Sequence, residues 1–267
     1  AHDNADCFSD FADKLGHFFY GEHPTRKTFF NYGEGFSAAT PARTVYTGNY
    51  VIRPGCLNYF IPFATLKLRM AGPVLGRILK DRLQDSFVSA NLPMLHNRTV
   101  ESTGRSEFRA GVVNTDQSID LGNEFIRQFY GDVMLFYIKK LTEQDQFDET
   151  IDADRVQAVL DSTYREIRDS YIEKHDTVLL LRSRIATQLN DRDHWWHRAS
   201  AKHDKTKQAI TCFDNFLNNI QANFDEDSYA FQQITSAASA QQHLEAIHHA
   251  ILQYDSDMRN WQQVLAA

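Results

Sequence analysis

Three runs between Thr47 and Thr99 decide how the fold is read: Thr47-Gly48-Asn49-Tyr50-Val51-Ile52-Arg53-Pro54, Arg69-Met70-Ala71-Gly72-Pro73-Val74-Leu75-Gly76-Arg77 and Leu92-Pro93-Met94-Leu95-His96-Asn97-Arg98-Thr99. In the first, Gly48 lets bare backbone approach a ligand, and Tyr50, Val51 and Ile52 favour extended structure until Pro54 ends it. In the last, the apolar run from Leu92 to Leu95 predicts a buried strand that delivers the His96 imidazole and, two residues on, the Arg98 guanidinium. An extended chain puts both on one face.

Working outward, Phe11, Leu15, Phe18 and Phe19 recur at helical intervals and predict a short amphipathic helix over Ser9 to Tyr20. Thr28 to Tyr32 and Ala42 to Tyr46 read as an antiparallel pair of strands. Cys56 to Leu68 is strongly apolar but carries Pro62, so a bend within a buried segment is expected. Pro73 suits the first turn of a helix, which then runs to about Leu83, and Phe87 to Leu95 returns to a strand. From Ser118 onward the pattern turns helical, with no proline. Leu121, Phe125, Phe129, Val133, Met134 and Phe136 mark a helix to about Leu141. Val156 to Ile172 marks a second and Val178 to Leu189 a third. Ile210 to Ile220 marks a fourth, and a last one carries Leu244 to Leu265.

With 267 residues and 42% hydrophobic content the chain can bury a sizeable core. A net charge of −7 argues against a nucleic-acid partner, whose phosphates need a basic face. Cys7, Cys56 and Cys212 are odd in number and widely spaced, which favours a reducing, cytoplasmic setting over a disulfide framework. Neither a membrane span nor a signal peptide is readable. Asn97-Arg98-Thr99 fits a glycosylation sequon, a pattern that recurs by chance. The start at Ala1 without methionine reads as a fragment, a processed product, or a chain whose earlier residues were lost.

The ordered set Gly48-Asn49-Tyr50-Val51-Ile52-Arg53, Arg69 to Arg77 and His96 resembles the second half of the GT-A glycosyltransferases, the family-2-like enzymes that transfer a sugar from a nucleotide sugar. The resemblance implies an α/β (mixed) fold, with residues 1–116 as the second half of a GT-A-like catalytic domain and 117–267 as a helical C-terminal extension. It implies a divalent metal, manganese or magnesium, held by His96, with a nucleotide-sugar donor and an acceptor of unknown type bound by Gly48, Asn49, Arg53, Arg69, Arg77 and Arg98. The Asp-x-Asp of that group is absent upstream, and no Asp or Glu lies between Pro62 and Lys80. An inverting transferase needs a general base. Transfer with retention is therefore expected, unless the base comes from elsewhere, such as Asp120, Glu124 or Asp132, the last two falling two helical turns apart on one side.

Each residue has a bland alternative. His96 is either a metal ligand or a hydrogen-bonded strand-end histidine. Arg77 is either a phosphate contact or a solvated side chain, and Asn49 either binds sugar hydroxyls or accepts a left-handed turn. Glu124 and Asp132 equally suit a solvated face. Two other functions remain open. His2-Asp3, His175-Asp176 and His203-Asp204 suggest a helical metal-dependent phosphohydrolase. His194-Trp195-Trp196-His197 and the His243 to His249 cluster suggest a non-catalytic helical interaction protein, and the helical half is a candidate surface for a homo-oligomer.

Overall fold

The computed structural model describes residues 3–20, 38–45, 50–59, 63–90, 113–114, 119–143 and 152–267. Helix accounts for 79% of them. In chain order the α-helices are α1 (Asn4–Ala12), α2 (Ala71–Leu83), α3 (Gly122–Glu143), α4 (Ala153–Asn190), α5 (Trp195–Ser200), α6 (Asp204–Phe224), α7 (Tyr229–Thr235), α8 (Ala237–Leu252) and α9 (Tyr254–Ala266). The described strands are β1 (Ala39–Pro41), β2 (Val88–Ala90), β3 (Val113–Asn114) and β4 (Ile119–Asp120), joined only as the antiparallel pairs β1–β2 and β3–β4.

The mixed α/β expectation is therefore corrected to a predominantly helical fold, and with it the GT-A resemblance, because that fold needs a central mixed sheet. The physical reason lies at Tyr50 to Arg53. These residues form no strand, and Val51 is fully exposed at 102%. A β-prone tripeptide has no extended structure of its own to gain without a neighbour to complete its backbone hydrogen bonds. The apolar run beyond it coils into the short 3-10 turns Pro54–Tyr59 and Ala64–Leu66 instead. Of the strand expected over Phe87 to Leu95, Val88–Ala90 form the exposed β2, paired with β1 in the register Ala39↔Ala90, and residues 91–95 lie outside the described residues. Of the earlier pair, Thr28 to Tyr32 lies outside the described residues, and Ala42 to Val45 follows β1 without regular structure.

The chain divides into two compact units, each gathered from three stretches. The first holds residues 1–31, 94–124 and 172–232. Here α1 is capped by Asp3, whose carboxylate accepts from the Asp6 amide at 2.8 Å. Phe8 of α1 stacks on Trp196 at 5.7 Å and on Phe213 at 5.0 Å, so α1, α5 and α6 share one aromatic cluster. Asn223 of α6 ties down the entry to α3: its side-chain oxygen accepts from the Leu121 amide and its side-chain nitrogen donates to the Ile119 carbonyl, both at 2.6 Å.

The second unit holds residues 32–93, 125–171 and 233–267. Its centre is α3, where Phe129, Tyr130, Val133, Tyr137, Ile138 and Leu141 are completely buried. These positions follow the 3.6-residue period, which is why this helix was legible; Phe136, on the far side, stays 40% exposed. Gly131 permits a close approach: a Cβ there would sit 2.5 Å from the Arg69 carbonyl oxygen. The Arg69 amide donates back to the Arg127 carbonyl at 3.1 Å. Pro73 falls within the first turn of α2, where amides have no helical acceptor in any case. Val45, Leu75 and Leu79 form a smaller core beside it, with Tyr59, Leu83 and Phe87 packed around.

Three helix boundaries differ from expectation. The helix expected over Ser9 to Tyr20 is α1, which ends at Ala12, followed by a separate 3-10 segment over Leu15–Tyr20. The second and third helices are one continuous 38-residue α4, because the polar stretch Glu173 to Thr177 contains no glycine or proline to stop it. The last helix is two, divided at Gln253, and Asp255 and Asp257 supply negative charge to the new N-terminus of α9. Trp261 of α9 donates its indole N–H to the Leu57 carbonyl at 2.8 Å.

Candidate functional site

The concave site of the second unit lies between the first half of α4 and α8. Asp152 starts α4 by accepting from the amides of Asp154 and Arg155 at 3.0 and 3.2 Å. Val156, Leu160 and Tyr164 then point inward, which turns Gln157, Asp161, Arg165 and Arg168 toward the groove. On the other side Ser236 caps α8, and the run Ala237-Ala238 carries no bulk that would close the gap. The resulting cavity is about 630 Å³. Tyr164, Ala240 and Leu244 make its buried floor, and Arg165, Gln241 and Glu245 stand exposed along its rim.

The rim is largely fixed by internal contacts. Gln157 donates to Asp161 at 2.8 Å, Gln241 donates to Glu245 at 2.8 Å, and the Arg165 Nε donates to the Asp161 carbonyl at 3.2 Å. Arg168 pairs with Asp169 at 3.0 Å and lies 5.8 Å over the Tyr164 ring. The Tyr164 hydroxyl donates to the Ile234 carbonyl at 3.1 Å. Burial raises its pKa, and the neighbouring Arg168 charge opposes that rise. Nearby, the Tyr137 hydroxyl is buried with no hydrogen-bond partner among the described residues, and burial, followed by the Asp161 charge, holds this phenol protonated far above its ordinary range. Asp161, Arg165 and Arg168 on α4 and Glu245 on α8 line the groove around its apolar floor.

The residues singled out in the sequence are placed as follows. Gly48, Asn49, His96 and Arg98 lie outside the described residues, as does His2. Arg53 is exposed and its carbonyl accepts from the Cys56 amide at 2.8 Å, closing the turn before the first 3-10 segment. Arg69 is exposed, with its backbone against α3. Arg77 is half-buried on α2, and its Nε is buried with no hydrogen-bond partner among the described residues. Glu124 sits in the first turn of α3, where a carboxylate favours the helix N-terminus. Asp132 accepts from the Tyr171 hydroxyl at 2.5 Å and from Gln128 at 3.1 Å, so this candidate base is engaged in joining α3 to α4.

The histidine motifs are likewise held by their neighbours. Trp196 donates to the Leu189 carbonyl at 3.2 Å, and His197 Nε2 lies 2.7 Å from the same oxygen, so the His-Trp-Trp-His run secures the end of α4. His243 stacks on Tyr130 at 3.9 Å. His175 Nδ1 lies 3.0 Å from Asp176. Among the described residues no group of three or more His, Cys, Asp or Glu side chains is gathered as a metal ion would require. Sequence reasoning missed the groove because it followed the apolar positions of α4. The signal was the polar set Asp161, Arg165 and Arg168 at helical spacing on the opposite face.

No protein-family model, curated protein or solved structure matches this chain. No described helix is long and apolar enough to cross a membrane.

Proposed function

We propose that this chain is a helical interaction protein whose groove between α4 and α8 receives a segment of another polypeptide. The observation that carries this reading is the lining: an apolar floor of Tyr164, Ala240 and Leu244 between rims bearing Asp161 and Glu245 as well as Arg165 and Arg168. A small-molecule site encloses most of its ligand. This one has an exposed rim along both helices and matches the mode in which apolar anchors enter a groove while flanking charges set the register. The overall charge of −7 and the balanced rim disfavour a phosphate polymer. The free Cys7, Cys56 and Cys212 fit a reducing, cytoplasmic setting. The sugar-transfer expectation rests on the GT-A resemblance of Gly48-Asn49, Arg69 to Arg77 and His96, and that fold needs a central mixed sheet that the described helical fold does not supply.

A photo-crosslinking residue at Ala237, on the groove, compared with one at Val264 of α9, tests the reading in the native cell. A discrete polypeptide should be captured from position 237 and not from 264, and Arg165→Glu or Ala240→Trp should abolish the capture. Equal capture at both positions would overturn it. So would manganese-dependent cleavage of a nucleotide-sugar panel, or of a phosphate-monoester panel, by the purified chain.

A further inference from the structure

The charged groups that line the groove between α4 and α8 are not equally engaged. Asp161 accepts from the Gln157 side-chain amide and Glu245 from that of Gln241, each at 2.8 Å. Arg168 donates from Nε and Nη2 to Asp169 at 3.1 and 3.0 Å, and its guanidinium lies over the Tyr164 ring. Arg165 differs. Its Nε donates to the Asp161 main-chain carbonyl at 3.2 Å, while neither of its Nη nitrogens makes a hydrogen bond or an ion pair among the described residues. The side chain stands exposed on the rim, above the buried Ala240 and Leu244 of the floor. A guanidinium held at Nε still offers two coplanar Nη donors, the geometry that takes a carboxylate end-on through two parallel bonds.

We propose that the segment received by this groove is acidic: it carries an Asp or Glu side chain that pairs with Arg165, next to an apolar side chain seated over Ala240 and Leu244. The inference rests on the groove reading above and adds the charge of the partner to it. Charge complementarity selects the sign. An incoming cation meets two carboxylates that are each hydrogen-bonded already, whereas an incoming carboxylate meets a guanidinium whose Nη donors have no protein acceptor among the described residues. Seating the segment also removes water from around the pair, which strengthens it relative to an open surface pair. The net charge of −7 repels an acidic segment at long range, so Arg165 contributes specificity at contact and not fast capture.

Selection of a displayed random-peptide library on the purified full chain tests this. Recovered peptides should be enriched in Asp or Glu close to Leu, Ile, Val or Phe. Ala237→Trp, which fills the groove from an exposed position that the fold tolerates, should abolish their binding. The same library on Arg165→Gln should return apolar peptides without the acidic enrichment, and on Arg165→Glu it should return peptides enriched in Lys or Arg. A selected acidic peptide, followed by fluorescence anisotropy, should bind Arg165→Gln about fivefold or more weakly than wild type. Replacing its acid by the matching amide should cause the same loss. Peptides that need the open groove but show no acidic enrichment, or whose charge preference Arg165→Glu leaves unmoved, would overturn the inference and leave the groove reading standing. Peptides indifferent to Ala237→Trp, or no recovered peptide at all, would overturn the groove reading and the inference with it.

Discussion

The Tyr171 hydroxyl donates to the Asp132 carboxylate at 2.5 Å, bridging α4 to α3 within the second unit. Burial, then the Asp132 acceptor and its charge, raise the Tyr171 pKa. A hydrogen bond to a charged acceptor is worth about 1.5–3 kcal/mol, and partial exposure of both groups places this one near the lower figure. Tyr171→Phe should therefore lower stability by about 1.5 kcal/mol in urea unfolding. A cycle with Asp132→Asn should return a coupling of about 1 kcal/mol or more, and additive effects would show that the bond is not formed in solution.

Tyr137→Phe should behave in the opposite way. Its hydroxyl is buried without a hydrogen-bond partner among the described residues, so removing it also removes the desolvation cost of an unsatisfied group. Urea unfolding should show a stability equal to wild type or up to about 1 kcal/mol higher. A clear loss would mean that the hydroxyl is hydrogen-bonded in solution.

Alkaline pH should unfold the chain cooperatively. Tyr130, Tyr137, Tyr171 and Tyr254 all have raised pKa values, with burial the largest cause in each. The folded state keeps these protons while the unfolded chain releases them near pH 10. Their contribution is thus complete below about pH 10 and is lost as pH rises toward the folded-state values. Phenolate absorbance from these groups should appear together with the loss of helical circular dichroism. Its appearance in a fully helical protein would disprove their burial.

Gly131→Ala should destabilise even though alanine is the better helix former. The propensity gain is at most about 1 kcal/mol. The new methyl carbon would meet the Arg69 carbonyl oxygen at 2.5 Å and its carbon at 2.9 Å, backbone atoms that cannot rotate away. A net loss of about 1–3 kcal/mol is expected in thermal or urea unfolding. Gly16→Ala, with nothing within 4 Å, is the control and should show no such loss.

Asn223→Ala tests the joint between α6 and the start of α3. It removes an acceptor from the Leu121 amide and a donor from the Ile119 carbonyl, and leaves both without their side-chain partner. A loss of about 2–3 kcal/mol is expected. Hydrogen exchange at the Leu121 amide should accelerate first, and unchanged protection there would show that the clamp is not formed.

The sequence by itself determined where most of the long helices lie. Phe129, Val133 and the apolar positions of α2 repeat at the helical period, and a helix satisfies its backbone hydrogen bonds within its own segment, so local pattern is enough to announce it. Tertiary structure decided what needed a distant partner. Tyr50, Val51 and Ile52 favour extended structure, yet a strand exists only where another strand completes its ladder, and in the described fold none does so there. Asp132 was legible as an acid on α3, but its engagement by Tyr171 was not, because the two residues meet only when α4 packs against α3. The groove was hidden for the same reason: Asp161, Arg165 and Arg168 read as an ordinary polar face of one helix, and only the packing of α8 beside α4 turns that face into one wall of a cavity.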